Sequence, residues 1–79
     1  MLTISLKREF VQEFYKIDRT VRPELSNFIA TLAKNPIPEG ATLVDEEENL
    51  YRVVFLGHTL FYSIAENWVI VSLIEPSKE

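Results

Sequence analysis

Arg52 is the side chain in this sequence with the clearest potential for binding chemistry. It lies within Tyr51 to Phe55, an apolar segment whose composition predicts a β-strand. An arginine at the centre of a strand usually pairs with a carboxylate or binds an anionic partner, because its guanidinium group forms paired hydrogen bonds with oxyanions. The alternative is structural: the aliphatic stem packs across Val54 and Phe61 while the charged end stays in water.

Other reactive groups are sparse. With one histidine and no cysteine, a histidine-based metal cluster or a cysteine nucleophile cannot be assembled from one copy of the chain. His58 is either a general base at the rim of a sheet or a solvent-exposed turn residue. The acidic run Asp45 to Glu48 lacks the ligand spacing and the loop glycine of a calcium site, and we interpret it as a solvated surface. We therefore expect no metal and no cofactor.

A meander of three antiparallel strands is predicted between residues 50 and 74. Its two tight turns are Gly57-His58 and Glu66-Asn67, since glycine and asparagine tolerate the backbone angles of two-residue hairpin loops. The resulting cross-strand pairs are Leu56 with Thr59, Phe55 with Leu60, Val53 with Tyr62, Tyr51 with Ile64, Ala65 with Trp68 and Leu60 with Leu73.

Alternation of side chains along a strand divides this sheet into two faces. The face without charge is predicted to be the core side, and it contains Tyr51, Val53, Phe55, Leu60, Tyr62, Ile64, Val69, Val71 and Leu73. The other face, called the mixed face, contains Leu50, Arg52, Val54, Leu56, Thr59, Phe61, Ser63, Ala65, Trp68, Ile70, Ser72 and Ile74.

The mixed face is where we place the binding site, because uncovered apolar groups on such a face mark an interface. Arg52 is also the only candidate for a catalytic role, and no catalytic residue is assigned with it. The candidate partner-binding residues are Arg52, Val54, Phe61, Ser63, Trp68 and Ile70.

Two helices are predicted ahead of the meander to cover its core side. Lys7 to Ile17 has a helical apolar period, and a second helix begins near Val21, with Thr20 or Asp18 as its cap. Asn35-Pro36 ends it, because the residue before a proline avoids helical angles. The fold class is thus α+β, with a helical hairpin on one face of an antiparallel sheet.

Three shorter segments complete the prediction. Leu2 to Leu6 alternates in polarity, which favours a short edge strand over the frayed start of the first helix. Ala41 to Val44 is expected to lie as a brief extended segment against the core. Pro76 to Glu79 is expected to be a tail.

The composition predicts one domain, residues 1–79, with no internal repeat. Residues 1–34 have a net charge of +2 and residues 35–79 one of −6. A sequence pI near 4.9 argues against autonomous nucleic-acid binding, which needs clustered basic residues. No apolar run approaches the roughly 20 residues of a membrane span, so we expect no membrane partner. The chain has no cysteine, which is compatible with a reducing compartment, and we expect a cytoplasmic protein.

Several motifs together resemble the RelE/ParE toxin superfamily, from Phe10 to Ile74. They are the helical hairpin, Leu32–Pro36, a glycine-containing loop, Tyr51-Arg52-Val53, and Phe61-Tyr62-Ser63-Ile64. The resemblance implies a small toxin of a bacterial toxin–antitoxin or plasmid-stabilisation operon, neutralised by an antitoxin segment that wraps it. RelE-type members cleave messenger RNA on the ribosome without a metal, and ParE-type members poison DNA gyrase.

The sequence departs from the nuclease pattern at the positions that carry the chemistry. Val54 and Thr59 stand where the resemblance implies further arginines, and Ile74-Glu75-Pro76 stands where a His-Arg segment is usual. RNA cleavage requires cationic stabilisation of the phosphate and an acid–base pair, which Arg52 alone does not supply. We therefore hypothesise an antitoxin-binding, toxin-like protein whose ribonuclease is weak or absent. The alternative is an orphan interaction domain that self-associates through the mixed face.

Overall fold

The computed structural model describes residues 1–77, which form two helices and a five-stranded sheet. The helices pack together on one face of the sheet, which confirms the predicted α+β class. In chain order the elements are β1 (Thr3–Leu6), α1 (Arg8–Phe14), α2 (Arg22–Thr31), β2 (Thr42–Asp45), β3 (Leu50–Phe55), β4 (His58–Ala65) and β5 (Trp68–Pro76).

The strands lie in the order β1-β5-β4-β3-β2, with β1 parallel to β5 and the other neighbours antiparallel. The N-terminal segment is therefore an edge strand, as predicted. The extended segment after the second helix is also a strand, and of its predicted residues only Ala41 packs against the core. All four residues of β2 are exposed at the opposite edge of the sheet, where β2 pairs with β3 rather than lying against the core.

The first hairpin turns one residue earlier than predicted. Leu56 and Gly57 form the loop, with φ angles of 50° and 75°, so Phe55 pairs with His58 and Val53 with Leu60. Two successive positive φ angles match the twist of the flanking strands, and glycine takes the second position without strain. Each residue of β3 therefore pairs with the β4 residue two positions before the predicted one. Because a shift of two residues is even, the side chains of both strands stay on their predicted faces.

The second hairpin turns at Glu66-Asn67 as predicted, and Ala65 pairs with Trp68. Further along, the pairing changes at a β-bulge: Phe61 pairs with Leu73 although Tyr62 pairs with Val71. One extra residue in β5 reverses the alternation beyond it. Leu60 consequently faces Ile74 rather than Leu73. Ile74 is buried (1% exposed), whereas Leu73 is 36% exposed, so both were assigned to the wrong face.

The core lies between the helices and the sheet face that they cover. The aromatic rings of Phe28 and Phe55 stack at 4.2 Å between α2 and β3, and those of Tyr51 and Tyr62 at 5.8 Å between β3 and β4. The Tyr62 hydroxyl donates a hydrogen bond to the Pro36 carbonyl at 2.7 Å. The buried apolar side chains are Phe10, Leu25, Ile29, Leu32, Val53, Leu60, Tyr62, Val69, Val71 and Ile74.

The helices are shorter than the apolar periods predicted. The first ends at Phe14, and Ile17 still packs against the core from the linking segment. The second has Val21 as its N-cap residue, without a side-chain cap. Asp18 instead accepts hydrogen bonds from the Thr20 amide and hydroxyl, both at 2.9 Å. These bonds lower the pKa of Asp18, and such local bonding competes with helix formation.

The tail was predicted to begin at Pro76, but Pro76 is the last residue of β5, and the Ser77 amide donates a hydrogen bond to the Gly57 carbonyl at 2.8 Å. Lys78 and Glu79 of that tail lie outside the described residues. Neither helix in residues 1–77 combines the length and apolar character needed to cross a membrane.

Candidate functional site

The sheet face opposite the helices, called the open face, is the candidate functional surface. It matches the predicted mixed face on β3 and β4, but after the bulge it gains Leu73 and Glu75 and loses Ile74. Its side chains in regular pairs on the three central strands are Leu50, Arg52, Val54, Thr59, Phe61, Ser63, Ala65, Trp68, Ile70, Leu73 and Glu75.

A cleft of about 480 Å³ lies on this face towards the end of β5. Its floor is formed by side chains from neighbouring strands that are paired directly: Thr42 with Arg52, Arg52 with Phe61, Val54 with Thr59, and Thr59 with Glu75. Pro76, Ser77 and the backbone around Gly40 complete its walls.

Arg52 is exposed within this cleft. In the part of the chain that the structure describes, its guanidinium group takes part in no ion pair and no hydrogen bond. Phe61, one of the two residues across which the stem was predicted to pack, is its direct partner on β4. Of the residues up to Ser77 that line the cleft, Arg52 is the only cation and Glu75 the only anion.

The structure divides the six predicted partner-binding residues into two groups. Arg52, Val54 and Phe61 line the cleft. The others follow along the face: Ser63 pairs with Ile70, and Trp68 pairs with Ala65 at the far end of the hairpin. Ala65, the partner of Trp68, comes four residues after Phe61 in β4, which is a distance of roughly 14 Å at the usual rise per residue. All six lie on one face, but they form an extended surface rather than one pocket.

Glu75 is the functional candidate that the sequence prediction missed. Simple alternation from Trp68 places residue 75 on the core side, and only the bulge turns it to the open face. The unpaired residue is Ser72, whose hydroxyl donates a hydrogen bond to the Phe61 carbonyl at 3.1 Å. No sequence feature distinguishes this serine from Ser63, which lies in a regular pair, so nothing in the sequence indicated the change.

His58 lies next to the observed turn and not within it. It begins β4 and is half-buried, and its Nδ1 lies 2.9 Å from the Leu56 carbonyl oxygen. A carbonyl can only accept, so Nδ1 carries the proton and the ring closes the turn. His58 does not line the cleft that contains Arg52. The contact therefore gives this histidine a structural role.

The acidic run forms an exposed turn between β2 and β3, in which the Asp45 carboxylate accepts the Glu47 amide at 3.1 Å. Within residues 1–77, no three histidine, cysteine or acidic side chains converge on a point where a metal ion fits. On the described part of the open face, the available chemistry is apolar contact, hydroxyl groups, one guanidinium group and one carboxylate.

Comparisons with known proteins show which solved structures have the same fold. The amino-acid sequence matches no protein-family model and no curated protein. Among solved structures, the isolated Escherichia coli RelE toxin superposes with a TM-score of 0.82 at 18% identity, covering 100% of this chain and 87% of that one. The chain has the RelE toxin fold.

Two complexes contain the same fold. A chain of the intact E. coli RelBE toxin–antitoxin complex matches with a TM-score of 0.81 at 17% identity and full coverage of both chains. One of the archaeal RelE–RelB complex from Pyrococcus horikoshii OT3 matches with a TM-score of 0.83 at 13% identity, over 99% of this chain and 97% of that one. The resemblance found in the sequence is thus confirmed for the fold.

Proposed function

We propose that this chain is the toxin-like component of a bacterial type II toxin–antitoxin module and acts in the cytoplasm. Its open face binds a segment of an antitoxin. The observation that carries this proposal is that one whole face of the sheet, Arg52 included, is left uncovered by the chain's own helices. The RelE-fold structures from E. coli and P. horikoshii, described as complexes with RelB, make an antitoxin the natural occupant.

The apolar content of the open face supports a protein partner. Val54 and Trp68 are each about half exposed, at 49% and 47%, and Leu73 is exposed beside them. Large apolar side chains exposed together on one face of a small protein mark a surface that another molecule covers. Trp68 and Phe61 are aromatic residues, which are enriched in interfaces, and tryptophan is among the residues that contribute most to binding energy there.

A related protein still binds an antitoxin peptide after two of its arginines are replaced. An E. coli RelE variant with two arginines replaced by alanine is known both free and bound to a peptide of the antitoxin RelB. A RelE-like chain with few arginines on its sheet is therefore compatible with an antitoxin-binding role.

The ribonuclease activity of this chain is weak or absent. The cleft has one guanidinium group, and Glu75 places a negative charge opposite Thr59, where a phosphate would be repelled. Loss of a single preorganised donor to a transition-state charge costs about 2.7–4 kcal/mol, so loss of several removes most of the rate.

The test is co-expression of the chain with the reading frame that neighbours its gene. We expect a small antitoxin-like protein to co-purify in a stable complex. The variant Trp68→Glu should weaken the complex, whereas Tyr15→Glu on the helical surface should not. If no protein co-purifies and no neighbouring antitoxin-like frame exists, the proposal is wrong.

Ribonuclease activity is tested separately, by overexpression of the chain alone followed by measurement of translation and of messenger-RNA integrity. We expect intact messenger RNA. Arrested translation with degraded messenger RNA, relieved by Arg52→Ala, would show that the activity is retained.

Self-association through the open face is the second candidate, favoured by the exposed indole of Trp68. It predicts a dimer in sedimentation and a change in Trp68 fluorescence on dilution. A monomer at high concentration would exclude it.

A further inference from the structure

Two side chains of opposite charge lie on the open face, on different strands. Arg52 is on β3 and Glu75 on β5, and both line the same cleft. Val54, Thr59 and Glu75 form one row across the three strands, and Arg52 lies two residues before Val54. From the usual spacings between strands and along them, the Cα atoms of Arg52 and Glu75 are about 12 Å apart.

The surface between these two charges is largely apolar. Val54 is half exposed and Phe61 is partly buried. Within residues 1–77 neither Arg52 nor Glu75 belongs to an ion pair. A partner that buries the apolar floor therefore also removes water from a guanidinium group and from a carboxylate. Such burial is strongly unfavourable unless the partner supplies the opposite charge at each position.

We infer that the segment covering this face is an amphipathic helix with an acidic side chain over Arg52 and a basic side chain over Glu75, two helical turns apart. This inference rests on the proposed function, because it specifies the antitoxin segment that binds the same face. The charge pair also fixes the direction in which the helix lies, since the reversed orientation places like charges together.

A helix is favoured over an extended segment by backbone hydrogen bonding. Over the middle of a sheet face there is no open strand edge, so an extended chain leaves its amides and carbonyls without partners. A helix satisfies them internally. At 1.5 Å per residue, a span of about 12 Å corresponds to seven or eight residues, and residues seven apart lie on the same side of a helix. The expected pattern is an acidic residue and a basic residue at positions i and i+7, with apolar residues between them.

The probe is the protein that co-purifies with this chain from the co-expression experiment. Its affinity is measured for the unmodified chain and for Arg52→Gln and Glu75→Gln at about 0.1 M salt. We expect each neutral variant to bind about tenfold more weakly. The double variant R52E/E75R should bind more weakly still, and these differences should shrink at about 1 M salt, where charges are screened within about 3 Å.

Matched controls make the same charge changes on the helical side, where Lys34→Gln and Glu24→Gln alter exposed residues. They should leave the affinity within about twofold. Exchanging the acidic and basic residues of the partner helix should restore binding to R52E/E75R, an effect that a merely structural role of Arg52 or Glu75 does not produce.

The outcomes separate this inference from the function on which it rests. A stable complex whose affinity is unchanged in Arg52→Gln and Glu75→Gln overturns the charge pairing and leaves the proposed function in place. A partner sequence without an acidic and a basic residue at that spacing does the same. If no protein co-purifies, the proposed function and this inference both fail.

Discussion

Val54 and Thr59 are direct cross-strand partners on the open face, beside Arg52 on one side and Glu75 on the other. These are the two positions where the RelE/ParE resemblance implies arginine. The chain thus has an aliphatic group and a hydroxyl where guanidinium groups would attract RNA, with a carboxylate next to them. Because phosphate contacts dominate nucleic-acid affinity, we expect the open face to bind RNA weakly.

Restoring both arginines should create RNA affinity. We expect V54R/T59R to bind single-stranded RNA measurably more tightly than the unmodified chain. The dependence on salt should steepen by about 0.7 in log–log slope for each new phosphate contact. Both positions are on the sheet surface, where long side chains are accommodated without displacing the core. The measurement is a fluorescence anisotropy titration at several salt concentrations.

The control for net charge is Q12R/N27R, which adds two arginines to exposed positions on the helices. If it increases RNA affinity as much as V54R/T59R does, the effect comes from total charge and not from the cleft.

The faces of β3 and β4 could be assigned from the sequence, because side chains alternate along a strand and only an odd shift in the pairing would exchange the faces. The first turn lies at Leu56-Gly57 and not at the predicted Gly57-His58. The cross-strand pairs differ from the predicted ones by an even number of residues, so Arg52 and Phe61 are on the same face in both. A leucine with positive φ is uncommon, and no local preference predicts it at position 56.

The end of β5 could not be assigned in the same way. The bulge at Ser72 depends on which pairing best buries Ile74 under the helices, and this is a tertiary preference. It moves Glu75 onto the open face, so the prediction contained the cationic part of the cleft and lacked the anionic part. The sequence also contains no sign that β2 joins the sheet as an edge strand, because all four of its residues are exposed and show no hydrophobic alternation.

Leu56→Asn should stabilise the protein. Leu56 has a φ angle of 50°, where its Cβ crowds the backbone, and asparagine tolerates this region better. Its side chain is already 45% exposed, so little burial is lost. We expect a gain of about 0.5–1 kcal/mol in the free energy of unfolding, measured with urea. Leu56→Ala is the control, since it removes the side chain but keeps the strain. Equal stabilities for the two variants would contradict the explanation.

Tyr62→Phe should destabilise the protein by about 1–2 kcal/mol. The hydroxyl of this buried residue donates to the Pro36 carbonyl at 2.7 Å and links β4 to the loop that follows α2. Without it, the carbonyl loses its partner in a partly buried position. At about 4–8 °C per kcal/mol for a domain of this size, thermal unfolding should detect the change. Tyr15→Phe, at an exposed position, should have little effect.

The same hydroxyl makes stability depend on alkaline pH. Burial raises the pKa of Tyr62 to about 12, with a smaller contribution from the neighbouring Tyr51. An unfolded tyrosine has a pKa of about 10. Between pH 10 and 12 the unfolded chain therefore releases a proton that the folded chain retains, so stability falls as the pH rises. Below pH 10 this contribution is constant.

Comparison with Tyr62→Phe isolates this effect, because all other titrating groups are shared. We expect the difference in unfolding free energy between the two proteins to be constant up to about pH 9.5 and to decrease above it. A difference that does not change up to pH 11.5 would show that the hydroxyl is not retained in its protonated form by burial.

Ile74→Ala and Leu73→Ala test the bulge in β5. With the bulge, Ile74 is buried opposite Leu60 and Leu73 lies at the surface, so Ile74→Ala should cost about 2–5 kcal/mol and Leu73→Ala less than about 1. With uninterrupted alternation the order is reversed, because Leu73 would then face the helices. The two variants remove side chains of equal size from adjacent positions, so differences in residue type cannot explain the result. Urea unfolding of both decides which side of the sheet residues 73–75 occupy, and with it whether Glu75 belongs to the cleft.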